Sequence, residues 1–116
     1  MNIENSLNYF LGKYKEYCLI TFIGILSLRS IVRLESCLNE IKDNECSNFI
    51  LNFNHTEITD KSLDLFLINL SHIAHKKKTK FKLCGLDESL EKELLSSNIL
   101  KPENLTKDPR YAIKEF

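Results

Sequence analysis

Glycine is scarce in this chain, with three in 116 residues, and none of them forms a GxGxxG or GxxxxGKS/T pattern. Cradling a phosphate in backbone N–H groups needs the conformational freedom that glycine provides, so classical nucleotide enzymes are disfavoured. HExxH and GxSxG are missing as well. An excess of charge of one sign is also absent, since 16 Lys+Arg balance 16 Asp+Glu. That balance argues against nucleic acid as the main partner, because phosphate binding needs a field of one sign over at least one face. No apolar run reaches the roughly 20 residues required to cross a bilayer. The opening Met1–Asn8 stretch carries Glu4 and several Asn where a signal peptide would carry a basic region and an apolar core. A soluble, cytoplasmic protein is the expectation. Apolar residues make up 43% of the chain and no repeat is visible, so residues 1–116 are expected to form one domain around one core.

Cysteine spacing excludes more than it offers. Cys18, Cys37, Cys46 and Cys84 are far apart, without a CxxC or CxxH pair, which disfavours zinc. Cys18 and Cys84 lie in apolar strand-like runs and Cys37 lies beside a helical apolar stripe. In a chain without an export signal these are expected as reduced, structural thiols. His72 and His75 share a helix but lack a third ligand in sequence range, so they are expected as solvent-exposed groups. None of the Cys, His and Asp spacings marks a nucleophile with its base. No catalytic residue, metal or cofactor is expected, and binding another protein becomes the leading class of function.

Along the chain, Leu7–Leu11 and Tyr17–Ile23 predict an opening hairpin, with the second run apolar enough for a strand covered on both faces. Ile25–Ser30 reads as a connection. Ile31, Leu34, Leu38 and Ile41 then recur at helical spacing, with Arg33, Ser36 and Glu40 opposite, Ser30 as cap and Asp43-Asn44-Glu45 as the end. Phe49–Phe53 reads as a strand, and Asn54–Glu57 as a polar turn. A second helix begins near Asp60, capped by Thr59 or Asp60, and runs to about His75. Lys76-Lys77-Lys78 suits the negative end of its dipole better than a nucleic-acid patch. Phe81–Gly85 is a strand, Asp87 caps a helix over Glu88–Ser97 with Leu90, Leu94 and Leu95 along one side, and Asn98 suits its exit. Ile99, Leu100 and Leu105 pack a return segment, and Asp108-Pro109 starts a short last helix. The order β-β-α-β-α-β-α plus a C-terminal helix predicts an α/β fold: a mixed, mostly parallel sheet of four to five strands with an antiparallel edge.

The second helix carries a further signal. Leu63, Phe66, Leu67, Leu70 and Ala74 form one stripe at 100° per residue, enough to pack it on the sheet. Leu65 and Ile68 lie on the other side, together with Lys61 and His72. An apolar second face bordered by titratable groups points to a binding surface.

Three segments resemble the STAS family, the sulfate transporter and anti-sigma factor antagonist domains. They are Phe22-Ile-Gly24-Ile-Leu-Ser27, Phe49–Asp60 with its approach to the key helix, and Lys80–Leu100 with its Gly-Leu turn and leucine-rich helix. The resemblance covers nearly the whole chain and implies a bacterial-type, non-enzymatic regulator of signal transduction and transcription. In that family the loop before the second helix ends in Asp-Ser-Ser-Gly, and its first Ser is phosphorylated by a kinase that is also the anti-sigma factor. The matching tetrad here is Asp60-Lys61-Ser62-Leu63, and the common Asp of the preceding strand is Asn52. Lysine has no hydroxyl and cannot mimic a phosphate, so the switch is expected to be lost at Lys61, with Ser62 as the remaining alternative. The implied partner-binding residues are Asp60, Lys61, Ser62, Leu65, Ile68 and His72. The implied partner is an anti-sigma factor or serine kinase of ATPase fold. A scaffold or accessory subunit of a lipid-type transporter, a small-molecule or nucleotide sensor, and pairing with a second copy stay open.

Overall fold

The computed structural model describes residues 6–116, so the Met1–Asn8 reading lies largely outside the described residues. Strands β1 (Leu7–Lys13) and β2 (Cys18–Leu26) form the opening hairpin, joined by a turn in which Tyr14 stacks on Tyr17. Helix α1 (Ile31–Asp43) leads to β3 (Asn48–Ile58), α2 (Ser62–Lys77) to β4 (Lys80–Cys84), and α3 (Glu88–Ser96) to a return segment ending in α4 (Pro109–Glu115). Strand order is β1-β2-β3-β4, with β1 antiparallel to β2 and both other pairs parallel. The predicted α/β class, element order and mixed sheet are therefore observed. No helix among the described residues is long and apolar enough to cross a membrane.

One sheet face carries most of the core. Ile20 and Phe22 of β2, Phe49, Leu51 and Phe53 of β3, and Phe81 and Leu83 of β4 are buried with Leu34, Cys37, Leu38 and Ile41 of α1 and the predicted α2 stripe. Phe22 and Phe53 stack at 4.6 Å, and Phe66 meets Phe22 edge-on. Helix α4 adds a smaller cover on β3 and β4. Two glycines are required by geometry. A Cβ on Gly85 (φ +90°) would stand 2.3 Å from the Asn54 amide nitrogen, and one on Gly24 (φ +117°) 2.2 Å from the Ser6 carbonyl oxygen.

Several local expectations are corrected. Ile25 and Leu26 continue β2, and Asn54–Glu57 continue β3, because the two strands keep pairing from Ile23↔His55 to Leu26↔Ile58. Backbone pairing outweighs the polar side chains here, and Thr56 Oγ1 adds a bond to the Phe22 carbonyl at 2.8 Å. Ser30 does not cap α1 with its side chain. Its hydroxyl accepts from Ser27 N and donates to Ile25 O, while Ser27 caps the single 3-10 turn at Leu28–Ser30. Ile31 lies outside the buried stripe and Cys37 takes its place. Ser36, read as solvent-facing, is half-buried and meets the Tyr9 hydroxyl at 3.0 Å.

The reduced state expected of all four cysteines holds for Cys37 and Cys84, which are buried and free, but Cys18 and Cys46 are joined in a disulfide. Parallel pairing explains the encounter. Cys18 lies opposite Phe49, so the start of β2 stands beside the segment entering β3, and the two Cα atoms are 6.3 Å apart. Twenty-eight positions of sequence separation conceal that proximity. At the helix ends the expectations are met. Lys76 and Lys77 lie in the last turn of α2, Asp87 accepts from Leu90 N, Asn98 has φ 60°, and Asp108 accepts from the amides of Arg110 and Tyr111; α2 runs two residues beyond the expected end at His75 and closes on Lys78 in the left-handed conformation.

Candidate functional site

Helices α1 and α2 both follow strands of a parallel sheet, so they run side by side in the same direction, and their starts share one end of the molecule. Asp60 ties these starts together. One carboxylate oxygen accepts from Leu28 N at 2.8 Å, and the other accepts from Ser62 N, the first amide of α2, at 2.9 Å. The second bond satisfies the first helical amide from one residue before the cap: the N-cap is Lys61, which makes no side-chain cap bond, so the cap expected at Thr59 or Asp60 is displaced by one position; the first bond links two loops 32 residues apart. Hydrogen bonds from the Ser62 side chain and backbone, and then from Leu28 N, hold the Asp60 carboxyl below its ordinary range. Thr59 is engaged with Leu26 O and does not cap α2.

Around this anchor the surface is apolar. Leu65 is 59% exposed and Ile68 38%, as the second face of α2 predicted. Leu28 and Val32, outside the expected surface, are 67% and 79% exposed. Their signal was present. Val32 falls opposite the Leu34–Leu38–Ile41 stripe on a helical wheel, as Leu65 does for α2, and Leu28 precedes it by one turn. The groove between the helices is lined by Glu35, Asn39 and Lys42 from α1 and by Asn69, His72 and Lys76 from α2.

Asp60, Lys61 and Ser62 thus stand at the start of α2, with Leu65 and Ile68 on its next turns. His72 is exposed in the inter-helix groove, about 16 Å further along the axis than Lys61 at helical rise. Lys61 extends into solvent and lies 3.7 Å from Glu93 of α3, an exposed pair that contributes little to stability. Ser62 is half-buried beside the Asp60 carboxylate. Asn52 is directed elsewhere: its side-chain oxygen accepts from Asn54 N and Nδ2 at 3.0 and 2.7 Å, and Cys84 Sγ lies 3.6 Å away. Burial pushes the Cys84 thiol up to about 11, and Cys37 up to about 12, so neither is a ready nucleophile. Among the described residues no group of three or more His, Cys, Asp or Glu could hold a metal ion.

No protein-family model and no curated protein matches the sequence. Solved structures do match its shape. The Bacillus cell-fate determinant SpoIIAA in its phosphorylated form is 14% identical, with 92% of this chain and 97% of that chain covered and a TM-score of 0.72. A variant of RsbS from Moorella thermoacetica is 16% identical over 92% of each chain, with a TM-score of 0.74. An anti-sigma factor antagonist from Mycobacterium paratuberculosis is 12% identical over 98% of this chain and 97% of that chain, with a TM-score of 0.75. These are STAS-domain proteins, and the architecture described above is the STAS fold.

Proposed function

We propose that this chain is a non-enzymatic regulatory STAS domain of the anti-sigma factor antagonist type, which docks a protein partner through the starts of α1 and α2. The observation that carries the reading is the exposed apolar set Leu28, Val32, Leu65 and Ile68 around the Asp60–Leu28 hydrogen bond. An apolar cluster rimmed by charged groups on a prearranged backbone is what a partner surface requires. Asp60 holds the two loops in one geometry, so little ordering entropy remains to be lost on binding. Lys61 and Arg29 supply positive charge at the rim. The partner, by analogy with the proteins that share the fold, is an anti-sigma factor of ATPase fold.

Binding proceeds without phosphorylation at position 61, which has no hydroxyl to accept a phosphoryl group. Ser62 is a poor substitute. It is half-buried, and a phosphate there would be forced against the Asp60 carboxylate, two like charges on adjoining groups. Control of the interaction therefore rests on the abundance of the chain or on a further protein.

The test compares wild type with a Leu65→Asp/Ile68→Asp double variant in affinity capture from native lysate, read by mass spectrometry with phosphosite mapping. Wild type is expected to retain an ATPase-fold anti-sigma factor, with Ser62 unmodified. The double variant is expected to lose on the order of a hundredfold in affinity with its unfolding transition unchanged. Equal retention by both proteins overturns the assignment of this face. Retention of transporter subunits overturns the anti-sigma reading.

A further inference from the structure

The far end of α2 presents a different kind of site. A cavity of about 430 Å³ runs along the outer edge of β4, between Ser71 and Ala74 of α2 and the return segment at Lys101–Asn104, with Glu115 and Phe116 closing it from α4. Lys82 of β4 lines it and is only 7% exposed. An ammonium group has three donors, and burying it is costly unless acceptors meet them. Lys82 Nζ has one close acceptor among the described residues, the Glu103 carbonyl at 2.6 Å. The Glu115 carboxylate stands off at 3.8 Å, and the Phe116 ring is 5.8 Å away.

A second lysine nearby is better satisfied. Lys77 Nζ donates to the carbonyls of Ile41 and Asn44 and lies over the Phe49 ring. Lys82 lacks that second carbonyl. Thr79 Oγ1, also in the cavity wall, is buried and has no hydrogen-bond partner among the described residues. The other polar side chains at the back of the cavity are already engaged: Ser71 with Leu67 O, Asn104 with Phe81 O, and Glu115 with Thr106 Oγ1. Lys80 and Lys101 stand exposed at the mouth, and neither forms an ion pair with the described residues. Three lysines thus outnumber the two glutamates of the lining.

We propose that this cavity binds a small organic anion whose carboxylate or phosphate oxygens meet Lys82 Nζ, with Thr79 Oγ1 as a second contact and Lys80 and Lys101 drawing the charge in. The volume lies within the roughly 300–1,000 Å³ of small-molecule sites. Ala74 and the Phe116 ring provide an apolar wall for a compact, flat body, while one anionic group supplies the acceptors that Lys82 lacks. The site stands at the opposite end of α2 from the docking face and does not depend on it.

The test measures thermal unfolding of the full chain, and backbone amide shifts in NMR, during titration with benzoate and phenyl phosphate, with benzamide as the uncharged control. At least one anion is expected to raise the melting temperature saturably and to shift the amides of Thr79, Lys82 and Asn104, while benzamide does neither. Which anion acts distinguishes a carboxylate ligand from a phosphate ligand. Lys82→Met is expected to weaken the binding about tenfold or more, the loss of a charged hydrogen bond. Lys101→Met, a surface change that leaves the core untouched, is expected to weaken it to a smaller but measurable extent, so the test survives if Lys82→Met fails to fold. No saturable response to either anion, which would mean a cavity filled by water alone, overturns the proposal. So does equal binding by wild type and Lys101→Met.

Discussion

The two ends of α2 break the inside–outside rule in opposite directions. At its start, Leu65 and Ile68 lie in solvent with Leu28 and Val32, while the one structural carboxylate, Asp60, has its hydrogen bonds satisfied. At its end it is polar groups that are drawn in: Lys82 and the Thr79 hydroxyl are buried, and Lys77 is half-buried over two carbonyls. The difference has a physical meaning. Exposed apolar groups cost the monomer little and stabilise a complex once covered, whereas a buried ammonium costs the monomer until an acceptor reaches it. On the two proposals made above, one end suits a protein surface and the other an acceptor-bearing small molecule.

The comparison is broken most thoroughly by removing what both ends share. Leu67 is fully buried in the middle of α2, and Leu67→Ala should cost about 2–5 kcal/mol by transfer and cavity terms, which denaturant unfolding will measure. Both surfaces should weaken together in that variant. Cys46→Ser acts at the far end only. It removes the Cys18–Cys46 link, and chain entropy for a loop of this size predicts a loss of roughly 3.5 kcal/mol. A reducing agent should lower the wild-type transition by a similar amount and leave the Cys46→Ser variant unchanged. Lys77→Met leaves two carbonyls without their donor, at about 1–3 kcal/mol, and Lys82→Met should cost less because only one close acceptor is orphaned. Reversal of that order in urea titrations would show that Lys82 is satisfied within the folded chain.

The smallest effect lies in the acid limb of stability. Asp60 and Asp87 are both held below the ordinary carboxylate range, Asp60 by bonds from Ser62 and Leu28 and Asp87 by bonds from Leu90 and Ser89. A carboxyl whose folded value lies below its unfolded value of about 4 stabilises the fold above that value. The contribution disappears as pH falls through the folded value. Asp60→Asn should therefore flatten the stability profile below about pH 4 and leave it parallel to wild type near neutrality. The same variant should weaken partner capture, since the amide accepts less strongly from Leu28 N.

How much of this was legible follows from what each feature depends on. The buried stripe of α2 and the exposure of Leu65 and Ile68 depend on helical periodicity alone, and both are found as read. The caps at Asp87 and Asp108 and the exit at Asn98 are local chemistry and equally visible, whereas the left-handed turn at Lys78 has no signal in a lysine side chain. Asn54–Glu57 was misread as a turn because its strand character comes from its neighbour β2, not from its own side chains. Leu28 escaped for a similar reason. Its membership in the α2 surface rests on a hydrogen bond to Asp60 that spans 32 positions.

Composition, periodicity and capping residues by themselves determined the element order and most of the core face of α1 and α2. Contacts across the chain were decided only by the tertiary structure. Parallel pairing set Cys18 beside Cys46, the Asp60 carboxylate joined the starts of two helices, and the return of α4 over β4 enclosed Lys82. The reason is that local patterns report which surface a residue must hide or show, while its neighbour across a loop is set by strand order and register, which no short window of sequence contains.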